Sequence, residues 1–311
     1  MKVAVVGAGF SGLALSFHFL EKGAQVHLYD QKGIGAGASG VSSGLLHPYA
    51  GEQVRRSWKA DEAMEATKSL LEIAQKFSAQ PVADFSGILR KVDPKQRETF
   101  LKHAALYKDV EILNEEWVLI RSGIAVHSSS YLAGLYEACT LKGLVFFQQK
   151  IDVSAQLSGY DACVFALGAG IFSFAERDSG PLSQVRGQTL LCKWNLPPLQ
   201  YPLLGKGHVV PLPGGKLVHV GATYERNSAE IEPCEKTAMS LLKPQMERLV
   251  PDWKDMSPID CRAGIRVVRP GHATAWMYPI GDKKWVLTAM GSRGLLYHAY
   301  YAKAVIENIG I

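Results

Sequence analysis

At 311 residues the chain is longer than a single hydrophobic core usually grows, which predicts two domains or one elaborated α/β domain. Hydrophobic residues make up 47% and charged residues 20%, an ordinary folded composition that excludes a long disordered tract. The formal charge of +5, from 34 Lys+Arg against 29 Asp+Glu, is spread along the sequence, so it permits an anionic ligand without demanding a nucleic acid.

The start, MKVAVVGAGFSGLALSFHFL, is apolar, but Gly7, Gly9 and Gly12 interrupt it and no cleavage site follows; it reads as mature structure rather than a signal peptide. No uninterrupted apolar run of about 18 residues occurs, so a transmembrane helix is not expected. Five separated cysteines (Cys139, Cys163, Cys192, Cys234, Cys261) form no C-x-x-C pair, which fits a reducing cytoplasm and gives no metal site.

Lys2–Val6 is a short apolar run of the kind buried on both faces of a parallel sheet. Gly7-Ala8-Gly9-Phe10-Ser11-Gly12 follows, then an apolar pattern through Leu20 that closes at Gly23, which predicts a helix with a glycine stop. Gln25–Tyr29 reads as a second strand ending on Asp30 and Gln31, about 20 residues after the glycines, where the ribose-binding acid of a dinucleotide site belongs. Gly7 permits the tight turn, Gly9 the approach of a pyrophosphate, and Gly12 close packing of helix on strand; the helix N-terminus offers its free N–H groups to the anion. At this point NAD and FAD are both open, because either presents ribose hydroxyls to a carboxylate.

The next stretch departs from a simple NAD domain. Gly33, Gly35, Gly37, Gly40 and Gly44, with the hydroxyls of Ser39, Ser42 and Ser43, form a loop whose backbone runs close to something, a second phosphate or a flat ring. Within it Leu45, His47 and Tyr49 are candidates for contact with cofactor or substrate. The basic stretches Arg55–Lys59 and Arg90–Lys102 read more simply as solvated helix faces, with RNA binding as the alternative. Pro181–Lys193 and Lys206–Thr223 alternate as strands broken by Pro211, Pro213, Gly214 and Gly215, which is hairpin rather than βαβ composition. Glu235–Leu249 is one amphipathic helix stopped by Pro251, and Gly291-Ser292-Arg293-Gly294-Leu295 opens a last helix.

The N-terminal motif and the glycine loop resemble the D-amino-acid oxidase superfamily of FAD enzymes, which includes glycine oxidase, sarcosine oxidase and the FAD domain of a bifunctional wobble-uridine tRNA modification enzyme. The likeness recurs in family order in GYDACVFALGA (159–169), QVRGQTLL (184–191), HVGATYER (219–226), AGIRVVRPGHATAWMYPIG (263–281) and MGSRGL (290–295). It implies an α/β fold: a Rossmann-type FAD/NAD(P)-binding domain from residues 1–80, 122–175 and 257–311, and an α+β antiparallel-sheet substrate domain from 81–121 and 176–256. FAD is then the cofactor, held by Gly7, Gly9, Phe10, Ser11, Gly12, Asp30, Gln31, Ser39, Gly44, Leu45, Ala166, Gly168 and Gly291 to Leu295. Arg266 falls where the resemblance places a substrate-carboxylate arginine, with Arg262 and Arg269 as close competitors and with His47 or Tyr49 on the loop across from it. The implied activity is oxidation of a C–N bond of an amine or amino acid. Alternatives are removal of a carboxymethyl group from a tRNA wobble uridine, an NAD-dependent dehydrogenase, and a non-catalytic dinucleotide-binding protein.

Overall fold

The computed structural model describes residues 1–310 apart from 152–156, 179, 227 and 229. The strand Lys2–Val6 stands inside a six-stranded sheet ordered Trp276–Gly281, Lys284–Thr288, Ala162–Phe165, Lys2–Val6, Gln25–Asp30, Val145–Gln148. All neighbours are parallel except the edge hairpin formed by Trp276–Gly281 and Lys284–Thr288. Successive side chains point to opposite faces of a strand. Accordingly Val3, Val5, Val26, Leu28 and Val164 join a core with the helices Phe10–Glu21, Ala60–Gln75, Ser128–Leu141 and Gly294–Ile309. Ala4, Val6, Cys163, Phe165 and Val286 face a second cluster that includes Ile171 and Phe174, in and just after the 3-10 helix Gly168–Ser173. A sheet covered on both faces explains the continuous apolar runs.

The second large sheet runs Glu225–Arg226, Ser183–Lys193, Leu217–Gly221, His208–Pro211, Leu203–Leu204, Ile88–Lys91, Trp117–Ile120, Val110–Ile112. Its pairs are antiparallel except Leu203–Leu204 beside Ile88–Lys91. Pro258–Val268, within the 257–311 stretch that the family resemblance assigns to the FAD-binding part, pairs along Ser183–Lys193 in this sheet. Backbone hydrogen bonding to a strand some 75 residues upstream, rather than chain continuity, decides its place.

The faces of this sheet differ. Leu190, Cys192, Val209, Val218 and Val220 pack on Ala238, Leu242, Met246 and Leu249 of the helix Glu235–Leu249. Directly paired residues share a face. The registers His208 with Gly221, Gly221 with Thr189, Gly187 with Gly264, and Val185 with Arg266 therefore collect a polar set on the other face. That face meets the glycine loop: Thr189 Oγ1 donates to the Val41 carbonyl at 3.3 Å, and a Cβ placed on Gly264 lies 3.0 Å from Ala38 Cα. No helix among the described residues is long and apolar enough to cross a membrane.

Candidate active site

Because the strands ending at Val6, Asp30, Phe165 and Thr288 run parallel, the turns that follow them share the carboxyl edge of the sheet, where open α/β sheets bind ligands. The first turn is closely packed. A Cβ on Gly7 would sit 2.2 Å from the Ala166 carbonyl oxygen, and one on Gly12 only 1.7 Å from the Gly7 carbonyl oxygen. Gly9, the N-cap of Phe10–Glu21, has no side chain to cap the helix. Of the first N–H groups that of Phe10 is taken by Ser39, and those of Ser11 and Gly12 are left for an anion. Ser39 Oγ accepts from the Phe10 N–H at 3.1 Å, and a Cβ on Gly9 would stand 2.7 Å from that oxygen.

Asp30 accepts three backbone N–H bonds, from Ala8 at 2.9 Å, Lys32 at 2.8 Å and Gly33 at 3.0 Å. A carboxylate has about four acceptor positions, so one remains for a ribose hydroxyl. Gln31 beside it is exposed. Phe10 contributes its backbone here; its ring stacks on Tyr131 and lies tilted against His298 in the core. Gly44 has φ +84°, and a Cβ there would lie 1.7 Å from the Val126 carbonyl oxygen. Leu45 is partly buried against the cluster that holds Tyr49. At the last turn Gly291 has φ +54° and donates to Val267, Ser292 is exposed, and the helix beginning at Gly294 and Leu295 has no side-chain cap. Turns stripped of Cβ atoms, uncapped helix ends and a carboxylate with spare capacity fit a dinucleotide lying across this edge. Ala166 and Gly168, φ +52°, complete that edge beside Gly7.

Arg266 lies on the polar face of the second sheet. Its guanidinium occupies the space above Gly187, where a Cβ would be 2.3–2.6 Å from it, and Nη1 donates to the Thr223 carbonyl at 3.3 Å. Among the described residues no carboxylate pairs with Arg266, whereas Arg262 pairs with Asp260. Burial lowers the Arg266 pKa from its ordinary value. Nearby, His47 Nδ1, His208 Nε2 and Ser43 Oγ are buried without a hydrogen-bond partner. His208 Nε2 and Ser43 Oγ both approach the empty Cβ position of Gly221, at 3.0 and 3.1 Å. Burial pushes His47 to about 3, helped by Arg90, Arg293 and His208, and pushes His208 to about 3, helped by Arg266 and His219. Both imidazoles are neutral at pH 7.

The structure does not bring Tyr49 to this set. Its ring is 0% exposed and packs edge-on to Phe100, while its hydroxyl donates to Asp109 Oδ1 at 2.7 Å and accepts from Arg56 at 2.8 Å. Burial and the Asp109 carboxylate raise its pKa further. Its contribution is indirect: the buried Arg90 donates to the Tyr49 and Gly51 carbonyls at 3.0 and 3.2 Å and holds the loop after His47. Sequence reading placed Arg90 on a solvated helix face, whereas it is 4% exposed on the strand Ile88–Lys91, and it passed over His208. The polar interruptions His208 and His219 in otherwise alternating strands were the available signal for a face not buried in apolar packing. The basic stretch Arg55–Lys59 is largely neutralised, Arg56 by Asp61 and Asp109, and Lys59 by Glu62.

The sequence profile of the family described as FAD dependent oxidoreductase matches residues 2–308. Curated relatives include the tRNA 5-methylaminomethyl-2-thiouridine biosynthesis bifunctional protein MnmC of Campylobacter jejuni subsp. doylei, 25% identical over 76% of this chain and 39% of that protein. The protein of the same name from Burkholderia pseudomallei is 24% identical over 85% of this chain and 46% of its own length. The chain thus spans less than half of each of these two relatives. Among solved structures, glycine oxidase from Geobacillus kaustophilus superposes with a TM-score of 0.82 at 19% identity, covering 99% of this chain and 94% of that one. Iminodiacetate oxidase from Chelativorans sp. BNC1 gives 0.82 at 16% identity, covering 98% and 95%.

Proposed function

Because the chain belongs to the FAD dependent oxidoreductase (DAO) family, with FAD as its cofactor, we propose that it oxidises the C–N bond of a small amino-acid-like substrate. The observation that carries this reading is Arg266, a desolvated guanidinium without a carboxylate partner among the described residues, on the sheet face that meets the glycine loop. A planar fork of donors matches a carboxylate bidentately, and a desolvated cation gains most from such a partner. That two structural neighbours bear the names glycine oxidase and iminodiacetate oxidase supports an amino acid as the carboxylate's source.

FAD, which the turns at Gly7–Gly12 and Gly291–Leu295 would hold, would supply a hydride acceptor for the carbon next to nitrogen, and water would hydrolyse the resulting imine. The remaining work falls to side chains. Arg266 fixes the carboxylate and so the direction of the α-carbon. His47 and His208, with pKa values near 3, are far too weak as bases to take the amine proton, so their role is to orient a polar group through a neutral imidazole. The substrate nitrogen loses its proton to solvent before oxidation.

The test is anaerobic reduction of the purified flavoprotein by a panel of α-amino acids and N-alkyl amino acids, followed by visible absorbance. Bleaching by at least one of them is expected, with Arg266→Lys lowering kcat/KM by on the order of a hundredfold as the bidentate contact is lost. A flavin that no amino compound bleaches, or an Arg266→Lys enzyme as efficient as the parent, refutes the reading.

A second reading has one observation in its favour, the tRNA-modification name of the sequence relatives. The same C–N chemistry would then remove a carboxymethyl group from an aminomethyl uridine side chain. Its mark is tRNA binding that weakens steeply with salt. The ion pairs of Arg56 and Lys59 weaken the basic surface that first pointed that way, while Arg55 stays exposed.

A further inference from the structure

The helix-covered face of the second sheet carries a pair of cysteines that the chemistry above does not use. Residues two apart on a strand share a face, and so do register partners. Gln188 and Leu190 therefore look the same way, and Cys261, the partner of Leu190, looks with them towards the helix Glu235–Leu249. Cys234 is the N-cap of that helix. Gln188, 0% exposed, joins the two: its Oε1 accepts from the Cys234 N–H at 2.7 Å and from the Cys261 thiol at 3.9 Å.

The two thiols differ as stepwise oxidation requires. Cys234 is partly exposed, and its Sγ accepts from Thr237 Oγ1 at 3.2 Å. That bond, the Thr237 backbone N–H and the charge of Arg186 hold the Cys234 pKa below the ordinary thiol value. Burial, then Glu235, Asp260 and Cys234 itself, push Cys261 up to about 11, so the two sulfurs stand within electrostatic reach of each other. A thiolate open to solvent beside a thiol that stays protonated is the arrangement of a sensor cysteine and its resolving partner. Cys139, Cys163 and Cys192 are buried, and burial raises the pKa of each. Gln188 also touches the proposed carboxylate site. Its N–H donates to Thr223 Oγ1 at 2.8 Å, its carbonyl accepts from the Thr223 N–H at 3.0 Å, and the Thr223 carbonyl accepts from Arg266.

We propose that Cys234 and Cys261 form a peroxide-sensitive disulfide, and that closing it loosens the hold of Arg266 on a substrate carboxylate. The Cys234 thiolate attacks hydrogen peroxide and the O–O bond breaks. One oxygen stays on sulfur as a sulfenic acid, and the other leaves as hydroxide and takes a proton from solvent. Cys261 then gives up its proton, its sulfur attacks Cys234 Sγ, and the sulfenic oxygen leaves as water. Two thiols are oxidised and one peroxide is reduced to two waters. The bridge removes the S–H that Gln188 accepts and draws Cys234 from the same oxygen, and Gln188 passes the shift to Thr223. The coupling to Arg266 rests on the function proposed above, whereas the bridge does not.

The FAD-loaded protein is treated with a small excess of hydrogen peroxide, then read by intact mass, by peptide mapping and by calorimetric titration with propionate. A mass lower by about 2 Da, a peptide linking Cys234 to Cys261 and reversal by dithiothreitol are expected. Cys261→Ser should stop at a Cys234 sulfenic acid that dimedone traps, and Cys234→Ser should not react. Propionate should bind about fivefold more weakly to the oxidised protein, with no such change in peroxide-treated Cys234→Ser. No bridge, a bridge that uses Cys192 instead, or a bridge that leaves propionate affinity unchanged overturns the proposal. A reduced protein that binds no propionate rejects the carboxylate role of Arg266 and with it the coupling, while the mass and the linked peptide still decide the bridge.

Discussion

Replacing Gly12 by alanine separates two effects that usually act together. In an exposed helix interior the change stabilises by about 1 kcal/mol through helix propensity. Here the new Cβ would stand 1.7 Å from the Gly7 carbonyl oxygen and 2.9 Å from its carbon, so the helix Phe10–Glu21 must move away from the strand by roughly 1.5 Å to reach ordinary contact. The obstacle is backbone, which cannot rotate aside, so the overpacking cost belongs at or above the upper end of the usual range, about 3 kcal/mol. The net is a loss of about 2 kcal/mol, or roughly 3 °C in Tm for a chain of this size. Since the displaced turn also carries Gly9 and the uncapped helix end, FAD content should fall as well. Thermal melting by far-ultraviolet circular dichroism, with flavin absorbance per protein measured after dialysis, reads both. Gly159→Ala, where a Cβ meets nothing within 4 Å, is the control and should be neutral or slightly stabilising. A Gly12→Ala protein that melts at or above the parent temperature with full flavin content would refute the packing argument.

Gly187→Ala places a methyl where the Arg266 guanidinium now lies, 2.3–2.6 Å from it, so the arginine swings away while the sheet persists; KM should rise about tenfold with Tm changed by no more than a few degrees, and an unchanged KM counts against Arg266 as the carboxylate ligand. Arg266→Met removes a desolvated charge and should leave Tm equal or higher while kcat/KM falls on the order of a hundredfold; a marked loss of Tm would mean that the guanidinium has a structural partner instead. Burial holds His298 at about 4, below its ordinary 6.5, so the unfolded chain binds its proton first. The stability from this group is therefore full above pH 6.5 and is lost as pH falls from 6.5 towards 4, by about 3 kcal/mol. Denaturant unfolding across that window checks it, and a His298→Gln protein with an undiminished slope between pH 7 and 5 contradicts it.

Local patterns carried the N-terminal unit. The strand Lys2–Val6, the helix that follows and the acid at Asp30 were readable because each is set by neighbours within a few turns of chain, and Glu235–Leu249 was readable from its period and Pro251 for the same reason. The polar face of the second sheet was not. His208 and Ser43 converge on Gly221, and Arg266 reaches Gly187, through pairings that join segments tens to hundreds of residues apart, and no local period encodes such a register. Tyr49 shows the converse: two residues from His47, it is drawn away by Asp109 and Phe100, partners 50 to 60 positions downstream. Strand Pro258–Val268 likewise belongs to its hydrogen-bond partner rather than to its neighbours in sequence.

The three N–H bonds to Asp30 have a consequence for how this protein acquires its cofactor. One carboxylate ties Ala8 of the first turn to Lys32 and Gly33 of the next, so the mouth of the site is braced by the chain itself before any nucleotide arrives. Little ordering is then left to accompany loading, and an emptied protein keeps a receptive mouth instead of a collapsed one. The brace also mixes two roles in one side chain. An Asp30→Asn protein would lose part of its scaffold along with the acceptor expected to meet a ribose, so poor flavin retention in that variant would measure the scaffold first.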